Sequence, residues 1–359
     1  MKMGIIGLPE SGKSTVFGIV SGEIGAGAVV RPDKPRLATV KVPDKRVEWL
    51  TKHYNPKKTV LTDIELVDFA PIRLSAKSTG ATFPPQFLAT LRTMDGILVT
   101  LRQFEDDNIY HSEKTVDPVR DAEIIDMEFT LADLAVVETK VEKLTKNVAR
   151  GMKEDAKELA LLERVKAHLE DEKPLRSLEL SEEELDDLRG FAFLSLKPVL
   201  LLLNLDEAQF SEVDKHVDAL KEVANGRLVL PLCACIEEEI SKLDAEDQAE
   251  FLKELKLSEP ARDRLIRKCF ELMGFIVFFT VGEDEVRAWT LREGQRAVKA
   301  AGRIHSDLER GFIRAEVFAY DDLKRLGDVS TVKSEGLWRL EGKEYIVLDG
   351  DIIAVRHNS

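Results

Sequence analysis

The chain has 359 residues, of which 44% are hydrophobic and 33% charged. That apolar share supports packed cores and excludes a disordered chain, and the length suits two or three domains at about 100–200 residues each. With a formal net charge of −14, the whole-molecule field repels phosphate backbones, so contact with nucleic acid requires a local basic patch.

The first strand is predicted at residues 3–7, and the N-terminus turns into glycine and polar residues too early for a secretory signal. Gly7-Leu8-Pro9-Glu10-Ser11-Gly12-Lys13-Ser14 follows and fits G-x-x-x-x-G-K-S, with a helical stretch at 14–20 after it. A strand before and a helix after is the context a phosphate-binding loop requires. The glycines let backbone N–H groups wrap phosphates, and the helix N-terminus adds its dipole. Lys13 brings a positive charge to the β and γ oxygens, and Ser14 offers a hydroxyl to Mg²⁺. Further strands are expected at 37–42, 63–68 and 96–101. Asp68 ends the 63–68 strand, where a carboxylate can hold the Mg²⁺ shell; the alternative is an aspartate that caps a turn.

From about 123 to 189 the chain is rich in Glu, Lys, Leu, Ala and Val. Leu134, Val137, Val141, Leu144 and Val148 are spaced 3, 4, 3, 4, a coiled-coil-like seam, and Gly151 is a stop signal. A second stripe follows at Leu159, Leu162, Val165 and Leu169, and Ser181-Glu182-Glu183-Glu184 reads as a capping box. The economical reading is an inserted helical hairpin whose stripes pack on each other, the alternative being a partner-binding helix. Strands resume at 199–204 and 227–232. The unbroken run Leu200-Leu201-Leu202-Leu203 suits a strand buried on both faces of a parallel sheet.

Asn204-Leu205-Asp206-Glu207 falls where GTPases read guanine with N-K-x-D. Leu205 replaces the lysine and the longer Glu207 the aspartate, while Asn204 can offer a donor and an acceptor to a purine edge, so adenine is favoured over guanine. The alternative is a polar strand-to-loop transition. Cys233-Ala234-Cys235 has C-x-C spacing, but the chain holds one further cysteine, Cys269, and no second Cys/His cluster to complete a metal site. Three cysteines suit a reducing compartment, and no apolar stretch of about 18 residues exists to span a membrane. After 274 a small α+β module is expected, with a strand at 275–281, a helix at 295–309 and short strands within 342–355 around an Asp349-Gly350 turn. Between Arg287 and Arg314 seven Arg/Lys face three Asp/Glu, which reads either as an RNA footprint or as a solvated helix face with salt bridges.

Together these residues resemble the YchF-type Obg-like ATPases. Gly7-Leu8-Pro9, Phe104-Glu105-Asp106-Asp107-Asn108-Ile109-x-His111, Asn204-x-x-Glu207 and Cys233-Ala234-x-x-Glu237 are typical of that family. Glu285-Val286-Arg287-Ala288-Trp289-Thr290, Ala300-Ala301-Gly302-x-Ile304-His305-x-Asp307 and Gly311-Phe312-Ile313-Arg314-Ala315 look like its TGS domain. The resemblance implies a GTPase-like α/β core that prefers ATP, a coiled-coil insertion, a TGS module and association with ribosomes. It implies a nucleotide-binding set of Gly7, Pro9, Glu10, Ser11, Gly12, Lys13, Ser14, Thr15, Asn204, Leu205, Glu207, Cys233 and Ala234, the last two through backbone contacts to the base. Ser14 and Asp68 are the expected Mg²⁺ residues and Lys13 and His111 the expected catalytic ones, with His111 as the family's candidate for assisting the attacking water; the alternative for a lone loop histidine is ordinary polar surface. The expected division is a P-loop domain at 1–122 and 190–274, a helical insertion at 123–189 and a TGS-like domain at 275–359, in a monomeric, cytoplasmic protein.

The departures from the family bear on hydrolysis. The family's Mg²⁺-sensing threonine lies in an F-P-F-x-T-I segment, and here Val29-Val30-Arg31-Pro32-Asp33-Lys34-Pro35 puts Pro32 in its place. The family's D-x-A-G becomes Asp68-Phe69-Ala70-Pro71, and proline has no N–H to give the γ-phosphate. The glycine-rich second switch shrinks to residues 76–86 with Gly80 alone, ending in Pro84-Pro85, and Glu10 replaces an asparagine inside the phosphate loop. Three readings follow: an ATP-hydrolysing protein that docks on the ribosome or RNA, a nucleotide-binding module with little or no hydrolysis, and a GTP-specific switch, which Leu205 and Glu207 disfavour.

Overall fold

Among the residues described by the computed structural model, 1–23, 35–72, 83–111, 113–152, 154–254 and 259–358, twelve strands build two sheets. They are β1 (Lys2–Gly7), β2 (Arg36–Lys41), β3 (Lys58–Val60), β4 (Asp63–Asp68), β5 (Gly96–Arg102), β6 (Val199–Asn204), β7 (Val229–Leu232), β8 (Phe275–Thr280), β9 (Glu285–Arg292), β10 (Phe312–Ala319), β11 (Arg339–Glu341) and β12 (Asp351–His357). The chain forms two units: Met1–Thr39 with Glu65–Leu265, and Val40–Ile64 with Ile266–Ser359.

The sheet of the first unit has the order β2-β4-β1-β5-β6-β7, and β1 runs parallel to both β4 and β5. Every residue of β5 and β6 is buried, as unbroken apolar runs require when both faces of a strand are covered. Leu200 to Leu203 are fully buried, each worth about 1.5–3 kcal/mol of transfer free energy. Helix Pro118–Ala149 starts where Asp117 accepts from the N–H groups of Val119 and Arg120. Its first half lays Ala122, Ile125, Phe129 and Ala132 on the sheet. Its second half carries the expected seam: Val137 and Leu144 are buried in a cluster with Leu161, Leu162, Val165 and Leu169 of helix Asp155–Glu170. The helix stops at Arg150, followed by Gly151 at φ 93°, and the capping box at Ser181 is present in full. Asp133 fixes this insertion at its middle, accepting from Leu194 N, Ser195 N, Ser195 Oγ and Arg92.

The second unit is a mixed sheet in the order β11-β10-β12-β8-β9-β3. Helix Ala297–Ile304 buries Ala297, Ala300 and Ala301 against it. The single helix expected at 295–309 is broken at His305. That residue is extended (φ −162°), and its side chain accepts from Asp307 N to open the helix Ser306–Arg310. The strands expected within 342–355 reduce to β12, reached through a turn at Asp349-Gly350 with Gly350 at φ 87°. The helix Lys45–Tyr54 and β3 come from the segment Val40–Ile64. Trp49 meets Tyr320 edge-on at 5.6 Å, Arg46 reaches Asp349 at 2.5 Å, and β3 pairs parallel with β9.

Of the switch departures, Pro32 and Gly80 lie outside the described residues, while Pro71 is exposed just beyond β4 and Pro85 opens the helix Pro85–Arg92.

Candidate functional site

The loop from Gly7 to Lys13 joins β1 to the helix Lys13–Ser21. Its two glycines are needed for different reasons. A Cβ on Gly7 would stand 2.6 Å from Ser11 Oγ and 2.8 Å from the Thr100 carbonyl oxygen, so β5 leaves no room for one. Gly12 is left-handed (φ 83°), and a Cβ there would lie 2.1 Å from Asn204 Nδ2. Glu10 is also left-handed (φ 61°) and exposed, a conformation that costs a non-glycine residue roughly 1–2 kcal/mol and that asparagine tolerates better.

Lys13 opens the helix and is 3% exposed; its ammonium donates to Asp68 Oδ1, and Asp68 is 0% exposed at the end of β4. Burial pulls the Lys13 ammonium below its ordinary range and pushes the Asp68 carboxyl above its own, each opposed by the other's charge. Around this loop, Asp68 Oδ2, Ser11 Oγ and Thr100 Oγ1 are buried oxygens with no partner among the described residues. Ser11 and Thr100 both crowd Gly7, and Ser14 is exposed on the turn after Lys13. Pro9 and Thr15 are half-buried on either side.

Asn204 ties this loop to the next one. Its Nδ2 donates to the Ser11 carbonyl at 3.2 Å, and its Oδ1 accepts from Ala234 N at 3.2 Å. Both ends of the amide are thus used within the protein. Leu205 is 1% exposed and its N–H donates to the Leu232 carbonyl. Glu207 is exposed at the start of the short helix Glu207–Phe210, which Asp206 caps. Cys233 and Ala234 are buried at the start of helix Ala234–Ile240, and the Cys233 and Cys235 sulfurs stand 3.1 Å apart.

His111 is held in a separate cluster. It is buried, its Nε2 lies 3.0 Å from Asp121 Oδ2, and its Nδ1 accepts from Glu113 N at 3.1 Å. The acceptor role of Nδ1 puts the proton on Nε2, so neither nitrogen keeps a lone pair for water. Arg120 holds the other oxygen of Asp121 at 2.7 Å, and burial pushes the Asp121 carboxyl up against both partners. Sequence reasoning did not single out Arg102, which is 2% exposed and donates to the carbonyls of Phe104, Ile109 and Asp106, setting the path of the loop that carries His111. A lone arginine ending the apolar run 96–101 was the available signal.

A buried parallel strand, a two-glycine turn and a helix opening on a buried lysine define the P-loop class of α/β folds. Beyond that class, the chain is 41% identical over 362 residues to "Ribosome-binding ATPase YchF" of Bacillus subtilis, covering 99% of this chain and 98% of the relative. It is 38% identical over 366 residues to "Obg-like ATPase 1" of Oryza sativa subsp. japonica, covering 100% and 92%. The chain belongs to the YchF family of Obg-like ATPases. The family model YchF-GTPase_C, described as "Protein of unknown function (DUF933)", matches residues 275–358. The solved structure of the Schizosaccharomyces pombe YchF GTPase superposes with a TM-score of 0.85 at 32% identity, covering 99% of this chain and 97% of that one. The α/β core, the helical insertion and the C-terminal α+β module expected from sequence are those of this fold, the last built on a mixed sheet.

Proposed function

We propose that this chain binds an adenine nucleotide on the loop Gly7–Thr15 and works in association with the ribosome, as the names of its relatives state of them. The observation that carries the reading is Lys13, a cation buried behind a two-glycine loop whose one ion-pair partner among the described residues is Asp68. A lysine in that position is a charge stored for an anion. On nucleotide binding Lys13 exchanges Asp68 for phosphate oxygens, and the N–H groups opening helix Lys13–Ser21 join it.

The residues fit Mg²⁺. Asp68 has one oxygen without a partner and Ser14 an exposed hydroxyl, and hard cations take such oxygen donors. When bound, the ion neutralises charge on the β and γ phosphates. Asp68, once released by Lys13, and Ser14 would hold it. The buried Leu205 cannot lie along a guanine as a lysine stem does, and Glu207 replaces the aspartate that clamps guanine, so ATP and ADP are preferred to GTP and GDP. Asn204 serves this site by holding the phosphate loop and the Cys233–Ala234 loop together. For His111 to orient water it must give up Asp121 or Glu113 N. We further divide the chain into a nucleotide-binding domain within 1–122 and 190–274, a helical insertion at 123–189 and a C-terminal module at 275–359, to which the segment Val40–Ile64 contributes a helix and β3. Among the described residues no helix is long and apolar enough to cross a membrane.

A second reading, binding with little hydrolysis, rests on Pro71, which has no N–H for the γ-phosphate, and on the engaged state of both His111 nitrogens. One measurement tests the base assignment that both readings share, and a second decides between them. Calorimetric titration should give tighter binding of ADP than GDP, and a tenfold preference for GDP, about 1.4 kcal/mol, overturns the base assignment. Single-turnover ATP cleavage with Mg²⁺, with and without ribosomes, should be slow, and similar affinities for ADP and ATP should accompany it. A rate on the order of 1 s⁻¹ or faster removes the second reading.

A further inference from the structure

The two thiols of the Cys233-Ala234-Cys235 turn are unused by the function proposed above, which draws only on the backbone there. Cys233 is buried and Cys235 exposed, and their sulfurs are 3.1 Å apart. A disulfide needs about 2.05 Å, so roughly an ångström of side-chain rotation separates the two thiols from a bond. The backbone there is already fixed. Ala234 N, between the two cysteines, donates to Asn204 Oδ1, and the Cys233 carbonyl accepts from Glu237 N. The third thiol, Cys269, is fully buried in helix Ala261–Leu272, where burial pushes it up to about 12.

We propose that Cys233 and Cys235 form a reversible intraloop disulfide under a peroxide oxidant, making the Cys233-Ala234-Cys235 turn a modification site at the edge of the nucleotide loop. The exposed Cys235 meets the oxidant first. Its thiolate attacks one peroxide oxygen, the O–O bond breaks, and the leaving hydroxide takes a proton to become water, leaving Cys235 as a sulfenic acid. The Cys233 sulfur then attacks the Cys235 sulfur. The S–S bond forms, the S–OH bond breaks, and the hydroxide leaves as a second water with the Cys233 proton. Two thiols and one hydrogen peroxide give one disulfide and two waters. Burial and the neighbouring thiol push Cys233 up to about 12, so it is protonated and slow as a first nucleophile, and its 3.1 Å placement makes it the resolving partner. Reduction by a dithiol restores both thiols, as suits a transient bond in a reducing compartment.

The test is a thiol count on the full chain. Before oxidation, alkylation in denaturant should label three cysteines. After hydrogen peroxide it should label one, Cys269, and the peptide containing Cys233 and Cys235 should lose two hydrogens, reversibly with dithiothreitol. Cys235→Ser should keep both remaining thiols under the same treatment. Three labelled thiols after oxidation, an irreversible sulfinic acid on Cys235, a bond to Cys269 or a cross-linked dimer each overturn the proposal. Only the effect on the site rests on the nucleotide reading, and a separate arm isolates it. Saturating ADP should slow bond formation severalfold. A disulfide that forms at the same rate with ADP present upholds this modification and tells against nucleotide contact at the loop.

Discussion

Asn204→Ala distinguishes an amide that reads a base from an amide that builds the site. In the structure the substitution removes the acceptor of Ala234 N and the donor to the Ser11 carbonyl, both in buried surroundings. Each buried polar group left unpaired costs about 1–3 kcal/mol, so with two such groups the nucleotide-free protein should lose about 2–6 kcal/mol. All three tryptophans, Trp49, Trp289 and Trp338, lie in the second unit, so their fluorescence does not report on this loss. Urea unfolding followed by far-UV circular dichroism, with native-state amide exchange at Ala234, does. The Ala234 amide should exchange faster even without nucleotide. If stability without nucleotide changes by less than about 0.5 kcal/mol, the scale of an ordinary surface substitution, while ADP affinity falls, then the amide faces the base and the bridging role is wrong.

Lys13→Ala should abolish ADP binding measured by calorimetry. It also strands Asp68, whose carboxyl burial already pushes up. The folded state then favours the protonated acid, so the variant's stability deficit is smallest below the ordinary carboxylate range and grows as pH rises through Asp68's raised value; a deficit that shrinks with rising pH contradicts this. Glu10→Asn should raise stability by about 0.5–1 kcal/mol, because asparagine tolerates the left-handed backbone, and should tighten ADP by removing a negative charge; thermal melts with and without ADP check both. Reversing Arg296, Lys299 and Arg303 to Glu should weaken co-sedimentation with ribosomes and flatten its salt dependence. Arg296 and Lys299 already pair with Glu344 and Glu309, so unchanged sedimentation would identify the basic segment as a solvated, ion-paired face.

What the sequence revealed follows from how locally each feature is encoded. The phosphate loop is a contiguous motif, so its position was legible, although its glycines also answer to Thr100 on β5 and Asn204 on β6. The helical seam was legible because burial at Val137 and Leu144 follows helix period. Asn204 was found, but its bridging contacts were not, because they join residues 193 and 30 positions away. Asp121 was missed as the partner of His111, since an aspartate early in a helix reads as a favourable charge near its N-terminus. The break at His305 depends on one side chain accepting a backbone N–H two residues on, a competition that periodicity does not register. The strand β3 has three residues and no apolar run, and only β9 makes it a strand.

That short strand bears on how the molecule can be cut. The second unit draws Val40–Ile64 from far upstream, so the chain passes between the units at 39/40, at 64/65 and at 265/266. The region matched by the C-terminal family model, 275–358, is therefore not a separable bead. Excised alone it would lose the helix that sets Trp49 against Tyr320 and would bare the β9 edge, an invitation to intermolecular strand pairing. Truncation before 275 would in turn leave β3 with no strand to join. A phenotype from either deletion would mix loss of a module with damage to what remains. Point substitutions on the intact chain are the cleaner instrument for assigning work to its two ends.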